Sequence, residues 1–528
     1  MKRRDFTKLL LAGMALPGAG FMRDGMAYAQ TPDGGLTSLL APEPPTLMLP
    51  LNQQQPTIVA GAKIFESLLD FDFDLSPRPQ LAESWDISED GLTYTFHLVR
   101  NAKWHDGAPF TAHDVVFSCS QMLMELHPRA RASFERCESI VAVDDHTVVF
   151  KLKEPFAPFI YAFETSSAPI APRHIYEGTD YKNNPANDHP IGTGPFKYKE
   201  WVRGSHIHLV ANPDYYQEGK PGLTEIFFRI VPDAASRAVA LETGEAQLAG
   251  WNDVENFDVQ RLAALPHLEF TTKGYEFASP LLWYELNLRK EPFNDLRVRK
   301  AMMHLLDKSF IVERIMFGLA APATGPIAST TPFFQADLPQ YEFDVDKANA
   351  LLDEAGLKRG ADGKRFIMRF LVVPAGEMWT RLGEYFRQAM AAGGIDVVLE
   401  TTDMAGWGQR VSNWEFEATN NLVYQNADPA LGVARSYVSS NIRKGVLFSN
   451  TEGYENPEVD RLFAEAAVQT TREARQERYT AVQRILVEDL PVLWMTEQRY
   501  ATLYDNRLVD VIVGATGVNG NLAQARYA

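Results

Sequence analysis

The chain has 528 residues, 45% of them hydrophobic and 23% charged, with 35 Gly, 32 Pro and a formal net charge of -17. This balance excludes a disordered chain, a collagen and a disulfide-stapled miniprotein, and at such a length one core gives way to two or three domains. After the first few residues there is no continuous Lys/Arg footprint, which speaks against a general nucleic-acid or anionic-membrane binder. The 31 Phe, 19 Tyr and 9 Trp point to an aromatic-rich interior or binding cleft.

The chain opens on MKRRDFTKLLLAGMALPGAGFMRDGMAYAQ, a basic stretch with a short apolar run from Leu9 to Leu16 and small residues at Ala27 and Ala29. This pattern predicts a signal peptide cleaved after Ala29, because the apolar part is too short to span a bilayer. Arg3 and Arg4 ahead of Asp5-Phe6-Thr7-Lys8 resemble a twin-arginine signal, with a Sec signal as the alternative. Either one directs the chain to a bacterial periplasm. Removing residues 1–29 takes away five basic and two acidic residues and moves the net charge from -17 to -20. No later run approaches the roughly 20 apolar residues of a membrane span. In an oxidising compartment Cys119 and Cys137 could pair or remain two free thiols, and the sequence leaves both open.

Beyond Gly91, strand signals in LTYTFHLVRNAKWHDG and a two-strand pattern around Asp144-Asp145 flank a predicted helix from Ala112 to Leu126 with Thr111 as its cap. A Pro-rich stretch from Pro169 to Pro195 marks a passage between domains. Strand candidates FKYKEWV, HIHLVAN and LTEIFFRIV follow, then helices at 234–241 and in VQRLAAL, which is the alternation of an α/β domain. From Phe293 onward, helices predicted at 346–356, 377–392, 457–468 and 471–488 alternate with the strand candidates FIMRFLVV and IDVVLE, giving a second α/β domain.

The segment PQLAESWDISEDGLTYTFHLVRNAKWHDGAPFTAHDVVFS at 79–118 resembles the signature region of extracellular solute-binding proteins of family 5, the peptide/nickel/opine group served by ABC importers. HPIGTGPFKY, LVANPDYY, ALETGEAQL, NLRKEPFNDLRVRKAMMHLLDK and ANALLDEAG continue the resemblance in order along nearly the whole chain after residue 29. It implies an α/β, two-lobed periplasmic binding protein of the larger three-domain type. Domain I would comprise 30–71, 187–288 and 500–528, domain II 72–186, and domain III 289–499. The ligand cleft would lie between domains I and III, with domain II outside direct contact and hinge crossings near Tyr284 to Leu288 and Glu497 to Tyr500. The implied role is reversible capture of peptides or peptide-like solutes by a monomer that docks on ABC permease subunits. An opine, an oligosaccharide or another non-peptide solute is the alternative on the same fold, and a periplasmic enzyme or a ligand sensor the alternative in class.

The resemblance also nominates the site. Family peptide binders carry an Asp in a domain III loop for the ligand's amino terminus; here NLVYQNADPALG puts Gln425 at that position, an amide that cannot neutralise an ammonium group. Asp428 is near enough to compensate, or else caps the turn at Pro429. Tyr424 and Asn426 flank the loop, Trp251 and Asn252 resemble a domain I loop entering the cleft, and Trp283 and Trp407 are further stacking candidates. Arg410 and Arg435 are candidates for a ligand carboxylate or phosphate. Gly192-Thr193-Gly194-Pro195 lacks a Walker pattern, the pairs His105-Asp106 and His113-Asp114 match no zinc spacing, and neither GxSxG nor HExxH occurs. The reading therefore calls for no cofactor, no metal and no catalytic residue.

Overall fold

The computed structural model describes residues 34–251 and 253–528. The expected export segment at 1–29 and Asn252 lie outside them. Three larger sheets organise the described residues, beside two two-stranded ones. The first has seven strands in the order Leu268–Thr271, Thr502–Asp505, Leu248–Ala249, Gly35–Leu40, Glu225–Ile230, His206–Ala211, Phe196–Val202. Gly35–Leu40 runs parallel to Glu225–Ile230 from Gly35↔Glu225 to Leu40↔Ile230, and all six of its residues are buried, as a central strand requires.

The second sheet is antiparallel, in the order Ala82–Ile87, Thr93–Leu98, Thr147–Leu152, Cys137–Asp144. Alternation on its two inner strands turns Tyr94, Phe96, Leu98, Val148, Phe150 and Leu152 inward. Phe96, Phe134, Phe150, Phe159 and Phe163 form a cluster of edge-on, tilted and, for Phe134–Phe150, stacked rings with contacting centroids 4.5 to 6.1 Å apart. Much of the aromatic content is thus core, each buried Phe contributing about 1.5–3 kcal/mol. The helix predicted over Ala112–Leu126 forms, passing through a π-helical turn at Ser118–Met122, and Asp114 Oδ2 accepts the Thr111 N–H at 2.9 Å at its start.

The third sheet has six strands, Ala320–Pro322, Val492–Gln498, Pro280–Leu286, Ala418–Tyr424, Phe366–Leu371, Ile395–Glu400, flanked by helices that include Leu296–His304, Val345–Glu354, Glu377–Ala392 and Arg472–Asp489. Pro280–Leu286 is buried at every residue between two antiparallel partners. Tyr284, in the expected crossing at 284–288, lies mid-strand with its hydroxyl donating to Leu382 O at 2.8 Å. The chain leaves the first sheet at Thr271 and enters the third at Pro280, so it crosses over 272–279; it returns between Gln498 and Thr502.

Gly192 and Gly194 serve packing. A Cβ on either would fall within 1.8 Å of Ile64 O or 2.5 Å of Lys63 O. His105 hydrogen-bonds Gly194 O at 2.9 Å, and burial lowers its pKa to about 4. Among the described residues, no group of three or more His, Cys, Asp or Glu could hold a metal ion, and no helix is long and apolar enough to cross a membrane. Cys119 and Cys137 are free thiols, both with pKa values raised first of all by burial.

Glu66 draws together the loop segments that carry Gln80, Thr193, Tyr215 and Asn521. Its carboxylate receives Tyr215 Oη at 2.7 Å, Asn521 Nδ2 at 2.9 Å, Thr193 Oγ1 at 3.1 Å and Gln80 Nε2 at 3.4 Å. Burial nevertheless raises its pKa from 4.5 to about 7, against the pull of these donors. A raised folded-state value gives stability that is complete below pH 4.5 and lost as pH rises through about 7. For Glu66 that step is on the order of 3 kcal/mol. Glu66→Gln is therefore expected to flatten stability between pH 5 and pH 8 relative to wild type, read by denaturant unfolding; an unchanged pH slope would refute this role.

Candidate functional site

The loop after Ala418–Tyr424 builds the site. Asn426 and Ala427 both adopt left-handed backbone, at φ 49° and 63°, and the chain is clipped to the 272–279 crossing by Gln425 N–H to Ala278 O at 2.7 Å and Ala427 N–H to Phe277 O at 2.8 Å. Asn tolerates that conformation; Ala does so at a cost the clip sustains. Tyr424 and Asn426 thereby face a cavity of about 260 Å³, together with Gln55, Arg129, Trp251 and Asn519. A larger cavity of about 850 Å³ adjoins it, sharing Gln53, Arg129, Phe277 and Asn426 and adding Arg435. Tyr424, the last residue of its strand, is the one lining residue that a sheet supplies; the other lining residues come from loops and helices around the sheets.

Trp251 stands at the wall of the smaller one. It too is left-handed, at φ 50°, held by its N–H donating to Tyr275 Oη at 3.0 Å and its indole Nε1 donating to Asn519 Oδ1 at 3.1 Å. The same Asn519 oxygen accepts Gln55 Nε2 at 2.7 Å. The indole lies edge-on to Tyr424, at 5.9 Å and 89°, and 4.8 Å from Tyr500, so an aromatic wall joins the first sheet to the third. Beneath it the buried Lys63 donates to Val518 O at 2.7 Å and Gly520 O at 2.6 Å, anchoring the turn that carries Asn519.

Charge in the larger cavity is unbalanced. Arg435 points a buried Nε that has no hydrogen-bond partner, and its pKa is lowered to about 10 by burial and then by the neighbouring Arg129. Arg129 reaches Ser166 Oγ and Ser167 Oγ at 3.4 Å, and its pKa is lowered by burial, with Glu164 acting in the other direction. Glu164 is itself occupied, accepting Ser166 N–H at 2.9 Å, Ser166 Oγ at 2.6 Å and Ser167 Oγ at 3.1 Å. An anion between the two guanidinium groups would relieve their repulsion and fill the open donor.

The sequence candidates divide. Trp251, Tyr424, Asn426 and Arg435 come together on the two cavities. Gln425 does not: its Oε1 accepts Ala328 N–H at 3.0 Å and its Nε2 donates to Pro326 O at 2.9 Å, leaving it fully buried and internally engaged. Asp428 is buried, caps Pro429–Gly432 through Ala430 N–H at 2.9 Å and pairs with Arg475 at 2.7 Å. Trp283 is core of the third sheet, its indole 3.3 Å from Glu285 Oε2. Trp407 packs in a small cluster and donates to Thr419 Oγ1 at 3.0 Å, while Arg410 pairs with Glu400. Arg129, Glu164, Gln53, Phe277 and Asn519 were not among the candidates. Arg129 sits on the helix Pro128–Phe134, within the stretch 72–186 that the resemblance sets outside the cleft. Its only sequence signal is the local basic run PRARASFER.

Known proteins share this architecture. The oligopeptide-binding protein AppA of Bacillus subtilis is 28% identical over 449 residues, covering 82% of this chain and 80% of its own. Heme-binding protein A of Haemophilus influenzae is 29% identical over 439 residues, with 78% of each covered. The structure of Bacillus subtilis AppA in complex with a nonapeptide superposes with a TM-score of 0.78 at 25% identity, covering 94% of this chain and 99% of that one. The family model for bacterial extracellular solute-binding proteins, family 5, matches residues 76–452. With that match across most of its length, the chain belongs to the bacterial extracellular solute-binding proteins of family 5.

Proposed function

We propose that this protein captures peptides or peptide-like solutes bearing a carboxylate and delivers them to the permease of an ABC importer. The observation that carries the reading is the pair Arg129 and Arg435 on one cavity, with the Arg435 Nε unpartnered. Oligopeptide binding by relatives such as AppA supports the solute class. The protein would reach the periplasm through the segment 1–29, read as a twin-arginine leader, and work there as a monomer. Domain I would be the part built on the seven-stranded sheet, domain II on the four-stranded sheet and domain III on the six-stranded sheet, closing on the ligand about the two crossings.

A second reading, a non-peptide acid such as an opine, is favoured by one feature. Gln425 offers neither a charge nor a free amide where a peptide's ammonium group would need a carboxylate. A thermal-shift panel of peptides, N-acetylated peptides, opines and oligosaccharides, run after refolding to strip copurified solute, separates the two. Ligand at about 100 times its Kd adds roughly 2.7 kcal/mol, a visible shift. Shifts confined to carboxylates with a free amino group support peptides, and shifts that survive acetylation support the second reading. Shifts given by neutral sugars alone, or chemical conversion of a bound compound, would overturn both.

A further inference from the structure

A third cavity, of about 380 Å³, is lined by Asp428 of the Tyr424–Pro429 loop together with residues from 73–75, 157–161, 330–333 and 470–475. It shares Tyr161 with the larger cavity but contains neither Arg129 nor Arg435. Two of its lining side chains are buried with a polar atom left over: Asp428, 1% exposed, has no partner for Oδ2, and Thr331, 3% exposed, has none for Oγ1. Unsatisfied oxygens at such depth are costly unless a donor reaches them.

The charges around this cavity are mixed. Asp428 spends Oδ1 on Arg475 and on Ala430 N–H, which leaves Oδ2 open. Arg472 lines the same cavity, exposed, with its guanidinium 5.8 Å from the Phe333 ring, and among the described residues it meets no carboxylate within ion-pair distance. Asp74 lines it as well, tied to Ser76 N–H at 3.0 Å. Two carboxylates and two guanidinium groups thus border one space, so neither a net cation nor a net anion is favoured. Tyr161 and Phe333 add flat apolar walls.

We propose that this cavity is a second solute site, taking a zwitterionic α-amino acid with an apolar or aromatic side chain. Its ammonium donates to Asp428 Oδ2 and Thr331 Oγ1, its carboxylate faces Arg472, and its side chain packs between Tyr161 and Phe333. The proposal is independent of the solute read for the larger cavity, since the two sets of charged groups are separate.

The test is isothermal titration of the full protein with L-phenylalanine, beside phenethylamine and N-acetyl-L-phenylalanine, each of which lacks one charge. Saturable binding of L-phenylalanine is expected, with each analogue at least about tenfold weaker. Ala157→Phe fills the cavity and should abolish binding. Thr331→Val removes a hydroxyl that has no protein partner, so it should leave folding intact while raising Kd about tenfold. Arg435→Ala should leave L-phenylalanine binding unchanged. Absence of saturable binding, binding that survives both cavity variants, or binding lost with Arg435→Ala would overturn the assignment.

Discussion

Asp428→Ala is expected to destabilise the protein by about 3–5 kcal/mol, because it strands a buried cation. Arg475 is 6% exposed and stacks 4.7 Å above the Phe333 ring. It donates to Asp428 Oδ1 at 2.7 Å, to Tyr479 Oη at 3.2 Å and to Ala466 O at 3.1 Å. Burial works against its charge, and Asp428 more than offsets that, holding the guanidinium above its ordinary pKa. The alanine variant also loses the cap on Pro429–Gly432, worth roughly 1 kcal/mol. Replacing both partners by apolar side chains, Asp428→Leu with Arg475→Met, is expected to recover most of the loss, since the desolvation of both ions disappears with them. Calorimetric unfolding of the single and double variants checks this. A single variant as stable as wild type would show that the pair is not what secures the loop.

Arg435→Ala is expected to act in opposite directions on the free and the loaded protein. Without solute, the substitution removes a buried charge with an unmet Nε and a like-charged neighbour, so the free protein should unfold at a higher temperature. With solute, it removes a desolvated partner of the anion, and Kd should rise by about 30-fold or more. A purely structural arginine would give the reverse sign in the free protein. The paired readout of melting temperature with and without a carboxylate ligand therefore separates a binding role from a packing role. A lowered melting temperature together with unchanged affinity would refute the binding role.

Local pattern carried the fold a long way. Glu377–Ala392 and Pro457–Val468 form over the predicted residues, the second with Asn456 as its cap and Pro457 in its first turn. The strands Phe196–Val202, His206–Ala211 and Glu225–Ile230 fall where alternation placed them. Pro280–Leu286 was not read as a strand, because a strand buried on both faces shows no alternation. In the candidate site, Tyr424 and Asn426 were named as neighbours of the position that the resemblance aligns, and both line the smaller cavity. The inward turn of Gln425 was not, since it depends on contacts with Pro326 and Ala328 that only the tertiary fold supplies. Arg129 was missed for the same reason: nothing local to the helix Pro128–Phe134 indicates that Arg435 will share its cavity.

The most direct measurement is isothermal titration of the protein, stripped of copurified solute, with one peptide in two forms that differ only at the carboxyl terminus, free acid and amide. If Arg129 and Arg435 hold an anion, the free acid binds at least about 30-fold more tightly than the amide, and the difference collapses in Arg435→Ala. Equal affinity of acid and amide for the wild-type protein would contradict a cavity built around a carboxylate.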